Sequence, residues 1–342
     1  MSTSQQTQLG SEGVLSAVGN TPLVRLKKVF KDAPFQLYAK LESLNPGGSM
    51  KDRPALSIIK RALETGVITR DTVIVESSSG NMGVGLAQVC AYYGLRLICV
   101  VDKKTTPPNV RLLKAYGATV EVVTEPDPVT QEFLQARLNH VQKLLRTIDD
   151  SFWPDQYSNA YNYIGHYQTM EEIVGALGGL PDYVFCATST CGTLRGCAEY
   201  VRARSGHTKI IAVDAIGSII FGGPKLPRLI PGHGAAVLPP LFQEGLATQY
   251  VQVSDLDCVV GCRQLVKHEA ILAGGSSGAV FSAVARWQEQ ITPGATCVMI
   301  LADRGERYLD TIYSDEWVSE NFGEVTHLWQ DTIEGATCLT GR

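Results

Sequence analysis

Short runs of Val, Ile and Leu alternate with longer stretches of helical spacing between residues 73 and 145. This rhythm limits the fold more than any other property of the chain. Residues 73–76, 97–101 and 119–123 read as strands, and 81–93, 108–116 and 130–145 as helices. A strand built from continuous branched apolar residues is covered on both faces, so the pattern predicts a parallel sheet between two layers of helices. Ahead of it lie a short helix at 13–17, a turn feeding a strand at 19–24, a strand at 35–41 and a helix at 50–63. The rhythm breaks at 149–162, which is rich in aromatic and polar residues and reads as a crossover. It then resumes with strands at 183–187, 210–214, 250–253 and 296–301, and helices at 161–176, 191–204, 256–272 and 278–290. A Gly/Pro-rich excursion at 217–237 interrupts this second half. The expectation is an α/β protein of two doubly wound open sheets, for which 342 residues suffice.

A net charge of -4 without basic or acidic runs argues against nucleic acid or an anionic membrane as partner. The nine cysteines sit mostly in apolar segments and show neither C-x-x-C nor His/Cys spacing. They predict buried thiols of a reducing cytoplasm and no metal site. The polar start, residues 1–13, lacks the apolar centre of a signal peptide and reads as a flexible tail. No apolar run is long enough to span a bilayer. From residue 321 onward the pattern is that of a tail or a partner contact.

In open α/β sheets ligands sit at the loops after the carboxyl ends of strands. In Asn45-Pro46-Gly47-Gly48-Ser49-Met50-Lys51-Asp52-Arg53 a turn delivers Lys51 to the head of a helix, where the helix dipole disfavours the ammonium form and favours a nucleophilic amine. The plain alternative is a surface lysine in an amphipathic first turn. Ser77-Ser78-Ser79-Gly80-Asn81 offers more hydroxyls and amides than one helix cap requires, and suits a small carboxylate. Ser189-Thr190-Cys191-Gly192-Thr193 forms a comparable cup for a phosphate monoester, although such loops also cap helices without binding anything. Gly274-Gly275-Ser276-Ser277-Gly278 matches the serine-hydrolase elbow, with Asp303 and His327 following in order, but that elbow needs a preceding strand and 261–272 reads as a helix.

The segments NPGGSMKDRP, ESSSGNMGVGLA, DQYSN, TSTCGTLRG, AVDAIGS, EAILAGGSSGA and DRGERYLDTIYSD follow one another as in the fold-type-II pyridoxal-phosphate enzymes of the cysteine synthase and cystathionine β-synthase family. The similarity spans about residues 14–320. It implies a tryptophan synthase β-like fold in which 14–46 with 152–320 form a large cofactor domain and 47–151 a small mobile one. It also implies pyridoxal 5'-phosphate as cofactor, a cytoplasmic homodimer and small amino-acid substrates. Lys51 resembles the lysine that bonds the cofactor as a Schiff base, and Asn81 the residue that hydrogen-bonds its ring oxygen. Ser189, Thr190, Cys191, Gly192 and Thr193 resemble the phosphate loop, and Ser276 the serine facing the pyridine nitrogen. Ser78, Ser79, Asn81 and Gln156 match the residues holding the substrate α-carboxylate. A neutral Ser276 leaves the ring a weak electron sink, which suits elimination at Cβ more than transamination. Lys51 is then the base for the α-proton.

Common cysteine synthases read Pro-Ser-Ser-Gly-Glu-Arg-Tyr where this chain has Ala302-Asp303-Arg304-Gly305-Glu306-Arg307-Tyr308. With the phosphate loop and the runs at 147–150 and 212–215, this is similar to the branch making N-(2-amino-2-carboxyethyl)-L-glutamate, a siderophore precursor that supplies 2,3-diaminopropionate. That branch implies O-phospho-L-serine as first substrate, loss of phosphate to give aminoacrylate, and attack by the amine of L-glutamate. Arg137 and Tyr157 resemble its second-substrate residues, and Arg195, Arg304 and Arg307 are further candidates for the carboxylates. Each arginine has an ordinary alternative as a surface or structural ion pair, and Tyr157 as a core aromatic. The same fold accommodates a cysteine synthase using sulfide with O-acetylserine or O-phosphoserine. A serine hydrolase at Ser276 and a non-catalytic binding protein are the remaining readings. The six histidines show no metal spacing; His233 lies in a loop that the family tends to hold near the entrance.

Overall fold

A computed structural model describes residues 13–204 and 206–330. The short helix expected at 13–17 is a 3-10 turn at Val14–Ala17, and β1 (Leu23–Arg25) and β2 (Gln36–Leu41) follow it and pair antiparallel. Next come α1 (Asp52–Glu64), β3 (Val73–Ser77), α2 (Asn81–Tyr93), β4 (Arg96–Asp102), α3 (Pro107–Ala115), β5 (Thr119–Val123), α4 (Phe133–Thr147) and β6 (Ser151–Phe152). Then α5 (Ala160–Ile164), α6 (Tyr167–Leu177), β7 (Tyr183–Ala187), α7 (Gly192–Ala203), β8 (Lys209–Ala215) and β9 (Gln249–Val253) follow. The last elements are α8 (Asp255–Glu269), α9 (Gly275–Trp287), β10 (Thr296–Leu301) and α10 (Asp315–Phe322).

The strands form two sheets, ordered β1-β2-β10-β7-β8-β9 and β5-β4-β3-β6, and every pair except β1–β2 is parallel. Parallel strands need helices on both faces, and the burial agrees: every residue of β3 is buried, as are the last five of β10. Separate apolar cores follow, one joining α1 and α2 to one face of the smaller sheet, a smaller one joining α4 to its other face, and two on the faces of the larger sheet. Among the described residues no helix is long and apolar enough to cross a membrane.

The chain differs from the sequence expectation at three further places. The expected crossover 149–162 contains β6, which pairs only with β3 through Ser151 opposite Val73 and Phe152 opposite Ile74. Two half-buried residues on a sheet edge carry no apolar run for a pattern to detect. The single helix expected at 161–176 is two, α5 and α6, parted at Gly165 and His166. A Cβ on Gly165 would approach the Arg53 carbonyl oxygen to 3.2 Å, so a glycine at the break lets the end of α5 lie close on α1. Finally, residues 321–330 do not run free: a 3-10 turn at Thr326–Leu328 presses Trp329, only 6% exposed, onto the core of the larger sheet. The rest of that expected tail, 331–342 with Cys338, and residues 1–12 lie outside the described residues. The other eight cysteines are free and buried.

Candidate active site

The loops after β3, β7 and β10 lie at the carboxyl ends of their strands, and one cavity opens between them. Its lysine is delivered by a tight turn. Gly48 N–H donates to Asn45 O at 2.8 Å with Gly48 at φ +87°, a conformation glycine adopts without strain. A Cβ on Gly47 would lie 2.7 Å from the Asp52 carboxylate, which accepts the Gly47 N–H. Met50 N–H bonds Ala302 O at 2.8 Å and ties the turn to the end of β10. Lys51 follows, at the residue capping α1. Burial lowers its ammonium to about 8, with Cys191 opposing part of the shift. The direction is the one expected at the head of a helix, and its first cause is desolvation.

Opposite Lys51, the loop 77–81 leads into α2. Ser78 Oγ accepts the Gly83 N–H at 2.9 Å, so one of the three serines does cap the helix. Asn109 Nδ2 donates to Ser79 O at 3.0 Å. Glu76 draws the crossover alongside: it accepts Trp153 Nε1–H at 3.0 Å and the Gln156 N–H at 3.3 Å, while Gln156 Nε2 donates to Ser77 O at 3.3 Å. Burial raises the Glu76 carboxyl to about 7. Gln156 and Tyr157 thereby join the cavity wall. Arg137, on α4, reaches the same wall with Nε 3.3 Å from the Asp102 carboxylate, although that Nε makes no hydrogen bond there.

The third side is the loop 189–193. Cys191 takes φ +64°, which turns the chain into α7, and burial pushes its thiol up to about 12. A Cβ on Gly192 would come within 2.2 Å of Asn162 Oδ1, so only glycine lets this backbone approach. Asn162 Nδ2 donates to Thr190 Oγ1 at 3.2 Å, and Thr193 Oγ1 lies 3.3 Å from His166 Nε2. His166 is fully buried, and no pattern in the sequence pointed to it. The first amides of α7 have no carbonyl within the helix, so loop and helix end together suit a phosphate group. Ser276 stands in the first turn of α9 and borders the cavity beside Gly232 of the 231–235 loop.

The cavity is thus bordered by Lys51, Ser78, Ser79, Asn81, Arg137, Gln156, Tyr157, all five residues 189–193, and Ser276. Three of the arginines considered from sequence stand elsewhere. Arg195 pairs with Glu199 at 2.6 Å and stacks on Tyr163, and the exposed Arg304 donates through Nε to Ser43 O at 2.7 Å. Arg307 reaches the site only through Asn81, to whose Oδ1 it donates. His233 is packed 3.4 Å from Cys258 Sγ, and burial lowers it to about 4. Helix α8 precedes the Gly-Gly-Ser-Ser-Gly run and Ser276 lies within α9, so the strand that a hydrolase elbow requires is not there. Asp303 bonds Asn81 and Tyr308, where a triad would need a histidine.

A half-buried lysine whose amine desolvation lowers to about 8, a hydroxyl and amide cup, and an uncharged serine form a donor set that fits pyridoxal phosphate. A family model described as pyridoxal-phosphate dependent enzyme matches residues 14–303. An O-acetylserine dependent cystathionine beta-synthase from Helicobacter pylori is 32% identical over 90% of this chain and 100% of its own, with a TM-score of 0.83. A hydrogen sulfide-producing enzyme from Fusobacterium nucleatum is 32% identical over 89% and 99%, with a TM-score of 0.82. An O-ureido-L-serine synthase is 27% identical over 91% and 100%, with a TM-score of 0.83.

Proposed function

Since the chain belongs to the pyridoxal-phosphate dependent enzymes of the cysteine synthase and cystathionine β-synthase family, we propose that it performs a β-replacement joining L-glutamate to O-phospho-L-serine. The products are N-(2-amino-2-carboxyethyl)-L-glutamate, a source of 2,3-diaminopropionate for siderophores, and phosphate. The observation that carries the choice is Arg137: among the described arginines it alone borders the cavity, and it stands with Tyr157. Sulfide needs little orientation, whereas an amine bearing two carboxylates and a phosphorylated leaving group both call for a cation.

Residues 189–193 would hold the cofactor phosphate, and Ser276 and Asn81 would offer hydrogen bonds to its ring. Bound there, pyridoxal phosphate supplies a carbon that an amine can attack and a ring that withdraws electrons. Ser78, Ser79 and Gln156 hold the carboxylate of phosphoserine. Lys51 Nζ removes the α-proton and returns it at the end, and a lysine near 8 is suited to both roles. Between these steps the Cβ–O bond breaks with its electron pair leaving on phosphate, and the glutamate nitrogen bonds Cβ and loses a proton. In this reading 47–151 is the unit that closes over the substrate.

A cysteine synthase is the second reading, favoured by the sulfur chemistry in the names of the solved relatives. Mass spectrometry separates the two when the holoenzyme receives O-phosphoserine or O-acetylserine with glutamate or with sulfide. The glutamate adduct, formed preferentially from phosphoserine, is expected; cysteine as the sole product would replace the first reading with the second.

A further inference from the structure

Residues 302–308 leave β10 and pass between the turn carrying Lys51 and the loop carrying Ser276. Main-chain bonds fix the segment on both sides: Arg304 N–H to Gly48 O at 3.2 Å, and Gly274 N–H to Asp303 O at 3.2 Å. Two of its side chains hold Asn81 across the gap. Asn81 Nδ2 donates to Asp303 Oδ2 at 2.8 Å, and Arg307 Nη1 donates to Asn81 Oδ1. Each partner is anchored in turn: the Tyr308 hydroxyl donates to the same Asp303 oxygen at 2.7 Å, and Arg307 Nη2 to Gly47 O at 2.6 Å.

A carboxylate only accepts and a guanidinium only donates, so the amide of Asn81 has a single orientation. Its oxygen is taken by Arg307 and one of its hydrogens by Asp303. The remaining N–H is what Asn81 can offer to the cavity it borders. We infer that Asp303 and Arg307 are positioning residues that fix Asn81 as a hydrogen-bond donor to the ring oxygen of the cofactor. The inference rests on the cofactor placement proposed above. It also gives a reason for a costly arrangement, since Asp303 is only 1% exposed and its Oδ1 has no partner.

The test is titration of the apoprotein with pyridoxal phosphate alone, following the dissociation constant and the absorption maximum. Asp303→Ala is expected to weaken binding about tenfold, the size of one lost hydrogen bond, and to move the absorption band. Asp303→Asn keeps an acceptor oxygen and is expected to stay within about threefold of the wild type. In an Asn81→Ala background the Asp303→Ala change should add less than about twofold, because its effect runs through Asn81. Should Asp303→Ala fail to fold, Arg307→Met repeats the test from the other end of the amide. Wild-type affinity and spectrum in Asp303→Ala or in Arg307→Met would overturn the inference, as would a loss that persists undiminished without Asn81. Neither substrate is present, so a wrong substrate assignment would leave the result standing.

Discussion

Buried charges lie on both sides of the Lys51 turn, and in both clusters the charges balance. Behind it, Arg53 bonds both oxygens of Glu42 and both of Glu172 at 2.7–2.8 Å, while Lys40 Nζ meets Glu172 and Thr21 O at 2.5 Å. In front, Asp303 and Arg307 are joined through the amide of Asn81. The rear cluster pairs charge directly with charge across β2, the 3-10 turn Glu42–Leu44, α1 and α6, and none of its members borders the cavity. The front one leaves a carboxylate oxygen without a partner and ends on a cavity residue. Equal balance therefore does not mean equal purpose: the first arrangement holds elements together and the second holds one side chain in one orientation.

The largest expected effect comes from breaking the rear cluster. Arg53→Met leaves the buried Glu42 without a cation and Glu172 with Lys40 alone, and should cost about 3–5 kcal/mol of stability, read by denaturant unfolding. The cofactor affinity of the protein that remains folded should change little; a loss there as large as that of Asp303→Ala would erase the distinction between the clusters. A smaller effect is expected in acid. Burial pushes the Glu172 carboxyl up, but its bonds to Arg53 and Lys40 prevail and leave it at about 2, below its ordinary 4.5. A depressed carboxyl stabilises the fold above pH 4.5 and loses that contribution as pH falls towards 2, so acid unfolding should steepen in this window. Arg53→Met should flatten it. The smallest effect concerns Lys51 itself: uptake of cofactor by apoprotein should accelerate with a midpoint near pH 8, where its amine becomes neutral. A midpoint above pH 10 would place the amine in water.

The sequence made strands readable to the residue, both the half-exposed Thr119–Val123 and the buried Tyr183–Ala187 and Thr296–Leu301, because branched apolar runs between turn residues have few other uses. It also made the cavity readable, since each loop announces itself locally by glycines, hydroxyls or the lysine. What it hid depends on distance along the chain. Asn81 and Asp303 are 222 positions apart, and nothing near either one indicates the other. Arg195 and Arg304 looked as useful as Arg137 because a charge declares its type in the sequence and its direction only in the fold. The split between α5 and α6 falls at Gly165, whose close neighbour across the fold is the Arg53 carbonyl, a contact no local pattern encodes.

The proposed function depends above all on Lys51 as the residue that bonds the cofactor covalently. Reduction of the holoprotein with borohydride, followed by peptide mapping, tests it directly. The account predicts a pyridoxyl group on Lys51 and none in Lys51→Ala, which should remain folded and lose about 10²-fold or more of its activity. A pyridoxyl group on another lysine, or full turnover by the Lys51→Ala protein, would contradict it.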